Sequence, residues 1–198
     1  SIFVEEQSYS KKYLAIYYSQ ALKYAKNIGR FDLLENLLIS LAENDEMYAI
    51  MCCTYAQIVI EGKWAEAEHI FEKYPKLAFD YANHYANRNK FHVGENIENA
   101  IAKSAEFSFK YAQEILNDVF PLGEKEIAKN EEFLQKYIKN FKGKMSDDIH
   151  NLMIARSLDE KDEVAKEYFR GIKSSQNQLR KLLKNYSEYA TVKEILSE

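Results

Sequence analysis

Hydrophobic side chains recur along this chain at helical spacing, in a five-residue block whose fourth residue is Tyr. In the four clear copies Ala follows the Tyr, and in every copy a large apolar residue comes four positions after it. Residues four apart lie on one face of an α-helix, so the block predicts a helix with one buried side. The clear copies are residues 21–25, 52–56, 78–82 and 108–112, and a weaker fifth copy is 134–138.

A second block, an aromatic residue followed four positions later by Glu, comes after each clear copy of the first. In most copies Gly or Asn separates the two blocks, as at Gly29 and Gly62, which is typical of a helix end followed by a tight turn. Each unit is therefore predicted to be helix, turn, helix. The pairs are Phe31/Glu35, Trp64/Glu68, Phe91/Glu95 and Phe120/Glu124, and the fifth copy has only Met145, without a Glu.

The two blocks together predict an all-α protein, and six Gly with two Pro are too few turn formers for a β-sandwich or barrel. We expect tandem helix-turn-helix repeats that form a short right-handed solenoid over residues 1–143. Residues 144–198 are expected to form a C-terminal helical cap continuous with this array. Helices are predicted near 8–28, 32–43, 45–61, 64–74, 75–88, 91–103, 105–118, 121–130, 131–142, 146–156, 158–173, 175–186 and 187–197.

The fixed positions of the aromatic and acidic residues predict structural roles for them. The tyrosine rings should be buried between helices at equivalent places in successive units, and Trp64 should anchor its unit. The Glu of the second block should stabilise the positive end of its helix, the alternative being a row of ligand-facing carboxylates. The tyrosines compared are Tyr24, Tyr55, Tyr81 and Tyr111.

The segment Gly62-Lys63-Trp64-Ala65-Glu66-Ala67-Glu68, after a Tyr-Ala block, resembles the short helical repeats of tailed bacteriophages and large viruses. More broadly, residues 13–145 are similar to tetratricopeptide-type helix-turn-helix arrays. They lack the Gly-Tyr and Pro positions and the period of true tetratricopeptide repeats, so that family's peptide-carboxylate clamp is not carried over. The resemblance implies a binding protein. For a virus-encoded chain, it implies one that engages or inhibits a host protein.

Motifs that carry catalysis or hold a metal are not found in the sequence, and we expect a non-catalytic protein without metal or cofactor. Phosphate-binding glycine loops, a nucleophile elbow, HExxH and C-x-x-C are all absent. His84, His92 and Glu95 could approach one another, but a closed zinc site needs four ligands. The adjacent Cys52 and Cys53 occupy positions held by small or apolar residues in other copies, which indicates core packing rather than a nucleophile.

Charge and hydropathy favour a cytoplasmic protein, in the host cytoplasm if the chain is viral. The formal net charge is -4, which gives no general attraction for nucleic acid. Adjacent cysteines on a helix point apart and favour a reducing compartment over a disulfide. The longest uncharged stretch, residues 47–60, is shorter than the roughly 18 residues that a membrane span needs.

A basic stretch over residues 170–184 has no acidic residue and is the candidate partner-binding site. We expect the chain to be a non-catalytic protein–protein interaction module, with a protein partner and without nucleic acid or membrane. A nucleic-acid-binding regulator that uses this stretch is one alternative, and a small enzyme with an unrecognised site is another. A further alternative is that the stretch is only a solvated helix face. Its candidate residues are Arg170, Lys173, Arg180, Lys181 and Lys184.

Overall fold

The computed structural model describes residues 17–89, 93–141, 144–157, 159 and 161–173, and this part of the chain is helical throughout, without a strand. Every described helix matches one that the hydrophobic pattern predicts, so the all-α class is confirmed. The two helices predicted after residue 174 lie outside the described residues. The helices are α1 (17–28), α2 (Asp32–Ala42), α3 (Glu46–Tyr55), α4 (Ala65–Phe71), α5 (Pro75–Asn89), α6 (Glu95–Ile101), α7 (Ala105–Lys110), α8 (Pro121–Ala128), α9 (Glu131–Phe141), α10 (Asp147–Arg156) and α11 (Glu163–Lys173).

Local chemistry sets several of these helix starts. Asp45 precedes α3 in an extended conformation, and its side chain accepts a hydrogen bond from Met47 N at 3.0 Å. Asn130 accepts one from Phe133 N at 3.2 Å at the start of α9. Pro75 and Pro121 are the first residues of α5 and α8, where a helix has no partner for the N–H that proline lacks.

The chain divides into two compact units between Ala100 and Ile101, inside α6. In the first unit α2 packs on α3 and α4, and α5 packs on α3 and α4. The predicted boundary between array and cap at residues 143–144 remains a prediction. The largest fully buried side chains of this unit are Leu38, Tyr55, Trp64, Ile70, Phe71, Tyr81 and Ile97.

In the second unit α7 packs on α8 and α9, α10 packs on α8, and α11 packs on α9. α10 and α11 also pack on each other. Arg156 at the end of α10 donates to both Glu131, the first residue of α9, and Asp162, just before α11. This ion cluster joins the ends of three helices. The largest fully buried side chains are Ile101, Tyr111, Ile127, Tyr137 and Tyr168.

Two of the helices that carry the tyrosine block end in a wider, π-helical turn. The turn covers Ala56–Ile60 after α3 and Tyr111–Leu116 after α7. Each turn is followed by a residue in the left-handed conformation, Glu61 or Asn117, both with φ of 49°. The N–H of that residue bonds to the carbonyl of the Ala that follows the tyrosine, five residues earlier.

In the first copy, the helix ends one residue closer to its tyrosine than in the π-helical copies, with an ordinary α-helical turn. There Gly29 N donates to Ala25 O, four residues back, and Gly29 takes the left-handed conformation with φ of 92°. Gly62 lies between the two helices of the second copy, as predicted, but Glu61 rather than Gly62 takes the left-handed conformation. The π-helical turn therefore absorbs one extra residue without displacing the tyrosine.

In two copies without the wider turn, the apolar residue four positions after the tyrosine is more deeply buried than in the two π-helical copies. Where the helix stays α-helical, Tyr85 and Phe141 are buried and their rings pack on Tyr81 and Tyr137 at 4.7 and 4.8 Å. In the π-helical copies, the equivalent Val59 and Ile115 are only half-buried. A π-helical turn has more residues per turn, so the fourth residue no longer lies directly above the tyrosine.

Gly123 in α8 allows the close approach of α7 and α8. A Cβ at this position would overlap the Ser108 side chain and would lie 2.7 Å from Cδ1 of Phe120. Ser108 is fully buried and donates its hydroxyl to Ile101 O at 3.2 Å, so it has little freedom to move away. The contact between these two helices therefore requires a residue without a side chain at position 123.

We expect Gly123→Ala to lower the free energy of unfolding by about 1–3 kcal/mol because of this overlap. Without the overlap, alanine in a helix would raise stability by about 0.5–1 kcal/mol, so the sign of the change is diagnostic. Urea denaturation measures it. Gly62→Ala is the control, since its nearest atom, Ile60 O, would be 3.5 Å away and no stability loss is expected. An unchanged or higher stability for Gly123→Ala would contradict the close approach.

Candidate partner-binding surface

Three buried tyrosines make the same pair of hydrogen bonds, which we name the tyrosine latch. In each latch the hydroxyl accepts the backbone N–H of the aromatic residue in the preceding copy and donates to the Glu four residues after that aromatic. The N···Oη and Oη···Oε1 distances are 3.2 and 3.1 Å at Phe31–Tyr55–Glu35, 2.9 and 3.2 Å at Trp64–Tyr81–Glu68, and 2.7 and 3.0 Å at Phe120–Tyr137–Glu124.

The aromatic residue has the same backbone geometry in all three latches. Phe31, Trp64 and Phe120 each precede a helix with φ between -136° and -115°, and none uses its side chain to cap that helix. Their N–H groups face outwards from the helix start, where a backbone donor needs a partner when it is buried. The tyrosine hydroxyl of the next copy supplies that partner.

The carboxylate of each latch has a second set of partners. Arg30 binds Glu35 through two nitrogens, at 2.7 and 3.2 Å, and Lys63 lies 3.6 Å from Glu68. Glu124 instead accepts from the backbone N–H of Ser146, at 3.1 Å, and from the Ser146 hydroxyl. Each of these Glu residues lies in the first turn of its helix, as predicted. Each also joins separate segments of the chain.

Burial keeps the latch hydroxyls protonated. It raises the pKa of Tyr55 to about 12 and raises the pKa values of Tyr81 and Tyr137 further, and the neighbouring carboxylate adds to the shift in each. The hydroxyl therefore donates to the carboxylate and accepts from the N–H at neutral pH. This direction fits a structural junction rather than a site of proton transfer.

Tyr24, the tyrosine of the first copy, is 60% exposed, so the expectation that its ring is buried is wrong. Tyr55, Tyr81 and Tyr111 are buried as predicted. The hydroxyl of Tyr24 has no hydrogen-bond partner among the described residues.

Large exposed apolar side chains concentrate on the first unit, and we name this set the N-terminal apolar surface. Of those in the described part of the chain, all but Leu122 belong to it. A cluster of exposed apolar side chains on a folded protein commonly marks an interaction site. The N-terminal apolar surface consists of Tyr17, Tyr24, Ile28, Phe31, Leu33, Met47 and Ile50.

The helices that carry this surface are joined to one another. Tyr17, Tyr24 and Ile28 lie seven and four residues apart on one face of α1. The hydroxyl of Tyr18, the neighbour of Tyr17, donates to Met51 O at 2.5 Å and so ties α1 to α3. α2, which begins one residue before Leu33, packs closely along α3. The helices that carry most of the exposed side chains therefore pack together in one part of the unit.

The basic stretch predicted as the partner-binding site is only partly described. Arg170 is exposed near the end of α11, Lys173 is the last residue of that helix, and Arg180, Lys181 and Lys184 lie outside the described residues. Arg170 lines a groove of about 450 Å³ between α9 and α11, together with Glu163 and Glu167 of its own helix. The groove is thus of mixed charge. The binding role of the five residues remains a prediction.

The described residues that were candidates for a nucleophile or a metal ligand lie in surroundings that do not favour either role. Cys52 and Cys53 are buried free thiols, and burial raises the pKa of each to about 12, which keeps them protonated. Among the described residues no three His, Cys, Asp or Glu side chains are arranged to hold a metal ion, and His92 is outside them.

None of the helices seen in the described ranges is both long and apolar enough to cross a bilayer.

The N-terminal apolar surface was not found from the sequence, since the sequence does not show which side chains of α1 are exposed. The resemblance to short helical-repeat proteins and tetratricopeptide-type arrays stays an expectation. Comparison with protein-family models, with curated proteins and with solved structures finds no match.

Proposed function

We propose that the chain is a non-catalytic protein–protein interaction module that binds a protein partner through the N-terminal apolar surface. The observation that carries the proposal is the exposure of Tyr24, Ile28 and Leu33, at 60%, 53% and 71%, on a unit whose other large apolar residues are mostly buried. Covering such side chains removes apolar area from water, which drives most protein association. The proposal moves the binding site away from the basic stretch.

The tyrosine latch supports the proposal that the helices form tandem repeats in a short solenoid with a C-terminal helical cap. Three latches use the same atoms at the same positions of the two sequence blocks, so neighbouring copies are joined by one recurring contact. A stack of units joined in this way has an open end wherever it stops. The N-terminal apolar surface lies in the first copies that the structure describes.

The same proposal includes a cytoplasmic setting, in the host cytoplasm if the chain is virus-encoded, and a partner that is then a host protein. The two buried thiols, Cys52 and Cys53, are free and fit a reducing compartment. Tandem repeats usually serve binding rather than catalysis, because most of their residues build the scaffold. A protein ligand is therefore preferred to a substrate.

Replacing one exposed leucine tests the proposed surface. We expect Leu33→Asp to reduce the amount of partner recovered from native cell lysate about tenfold or more, because a carboxylate would have to be buried on binding. Leu122→Asp is the matched control: Leu122 lies two residues after Phe120, as Leu33 does after Phe31, and is 49% exposed in the other unit.

Quantitative mass spectrometry of the recovered proteins compares the wild type with the two variants. Unfolding experiments should give both variants a stability within about 0.5 kcal/mol of the wild type, because both positions are exposed. A protein that is lost with Leu33→Asp and kept with Leu122→Asp supports the surface. Equal recovery with both variants would reject it.

A further inference from the structure

A narrow groove opens between the starts of α2 and α4 in the first unit. Its volume is about 190 Å³, which is room for about six water molecules and therefore for one long side chain. α2 contributes Asn36 and Ile39 to its lining, and the start of α4 contributes Trp64 and Glu66. Both sides of the groove thus belong to described helices, which also pack on each other.

Negative charge dominates this groove. Its described lining contains one cation and three carboxylates, so its net formal charge is -2; the charged residues are Arg30, Asp32, Glu35 and Glu66. Arg30 is held by Glu35 in an ion pair of 2.7 Å. Asp32 and Glu66 are exposed, and neither is paired with a cation in the described part of the chain. A cationic group that enters the groove would therefore meet two available carboxylates.

The groove also contains an unsatisfied hydrogen-bond donor. Trp64 is fully buried, and its indole N–H has no hydrogen-bond partner within the described structure. Buried donors without a partner are rare in folded proteins, because leaving them unpaired costs free energy. An acceptor oxygen brought into the groove would approach this donor, and a polypeptide carries such an oxygen on every residue.

An exposed leucine adjoins the groove. Leu33 follows Asp32 in the chain and is the most exposed member of the N-terminal apolar surface. A small cation would leave this side chain uncovered, and the described acidic residues are not arranged to hold a metal ion. A polypeptide that carries a basic and an apolar side chain would engage both the groove and the leucine.

We propose that this groove receives a Lys or Arg side chain of a protein partner, from a segment in which a large apolar residue lies next to the basic one. The apolar residue covers Leu33, the cation lies between the carboxylates of Asp32 and Glu66, and a backbone carbonyl accepts the indole N–H of Trp64. This inference rests on the proposed function and adds the charge of the partner, argued from charge complementarity.

A library of random nine-residue peptides, displayed on yeast and selected against the full chain, tests the proposal. Enriched sequences are synthesised with blocked ends and without Trp. Because Trp64 is the only Trp of the chain, its fluorescence then reports binding at the groove. We expect enriched peptides to carry Lys or Arg beside a large apolar residue and to shift the emission in a saturable way. Enriched peptides without a basic residue, or no enrichment, would overturn the proposal.

The combined change Asp32→Asn and Glu66→Gln should weaken binding of these peptides about tenfold or more, since it removes both available carboxylates. The matched control is Glu46→Gln, which removes an exposed carboxylate of the first unit outside the groove and should leave the affinity unchanged. Both variants should unfold at the urea concentration of the wild type, because the altered side chains are exposed. Equal affinity of the double variant and the wild type would contradict the proposed contact.

Light scattering of the chain alone separates a second copy from a foreign partner. A dimer that the double variant dissociates would show that another copy of this chain occupies the groove, and the proposal of a partner would be wrong. The proposed function has its own test in Leu33→Asp. If that variant loses its partner while the enriched peptides lack a basic residue, the binding surface stands and only the groove chemistry fails.

Discussion

Replacing Trp64 with alanine is expected to lower the free energy of unfolding by about 3–5 kcal/mol. The indole is fully buried and packs on the ring of Tyr55, with centroids 5.4 Å apart. Removing it leaves a cavity between α3 and α4 in the core of the first unit. Urea denaturation followed by circular dichroism measures the loss.

Phe31→Ala provides the matched control for the Trp64 variant. Phe31 occupies the same position of the second block, and its backbone N–H makes the same bond to a tyrosine, but the side chain is 41% exposed. We expect a loss below about 2 kcal/mol, since less apolar area leaves the core. Equal losses for the two variants would show that Trp64 is not the anchor of its unit.

Replacing Tyr137 with phenylalanine is expected to lower the free energy of unfolding by about 2–3 kcal/mol, since it removes a hydrogen bond to a buried charged group. Glu124 is 2% exposed and would lose one donor, and Phe120 N would lose its acceptor, which lies at 2.7 Å. The ring keeps its packing on Phe141, so the loss of stability measures the contribution of the hydroxyl's hydrogen bonds. Urea denaturation again provides the measurement.

Tyr24→Phe is the corresponding control for the hydroxyl, because Tyr24 stands at the same position of the first block and is exposed. Its stability should stay within about 0.5 kcal/mol of the wild type. If Tyr137→Phe is equally harmless, the latch contributes no stability, and its recurrence would need another cause.

Helix positions could be predicted from the sequence because the blocks combine hydrophobic spacing with turn residues. The two π-helical turns could not, since the neighbouring Gly62 gives a stronger turn signal than Glu61, which takes the left-handed conformation instead. Whether the last turn is α-helical or one residue wider depends on how the end of the helix packs. Sequence spacing alone does not contain that information.

The tyrosines and glutamates were both predicted as fixed parts of the repeat, but their mutual contact was not. Tyr55 bonds the Glu of the preceding copy rather than that of its own, across 20 residues. Periodicity identifies which residues are equivalent, whereas pairing between copies depends on how units stack. For the same reason, the candidate surface could not be found: the exposure of Tyr24 depends on how α1 packs, which its own sequence context does not show.

The tyrosine latch also bears on how the chain folds. Its hydrogen bonds span between 13 and 24 residues, so each latch closes from segments that are near in sequence. Proteins dominated by such short separations fold fast, because little loop entropy is lost before native contacts form. During synthesis, each copy can therefore be secured to the one before it soon after its tyrosine leaves the ribosome, before the rest of the chain exists.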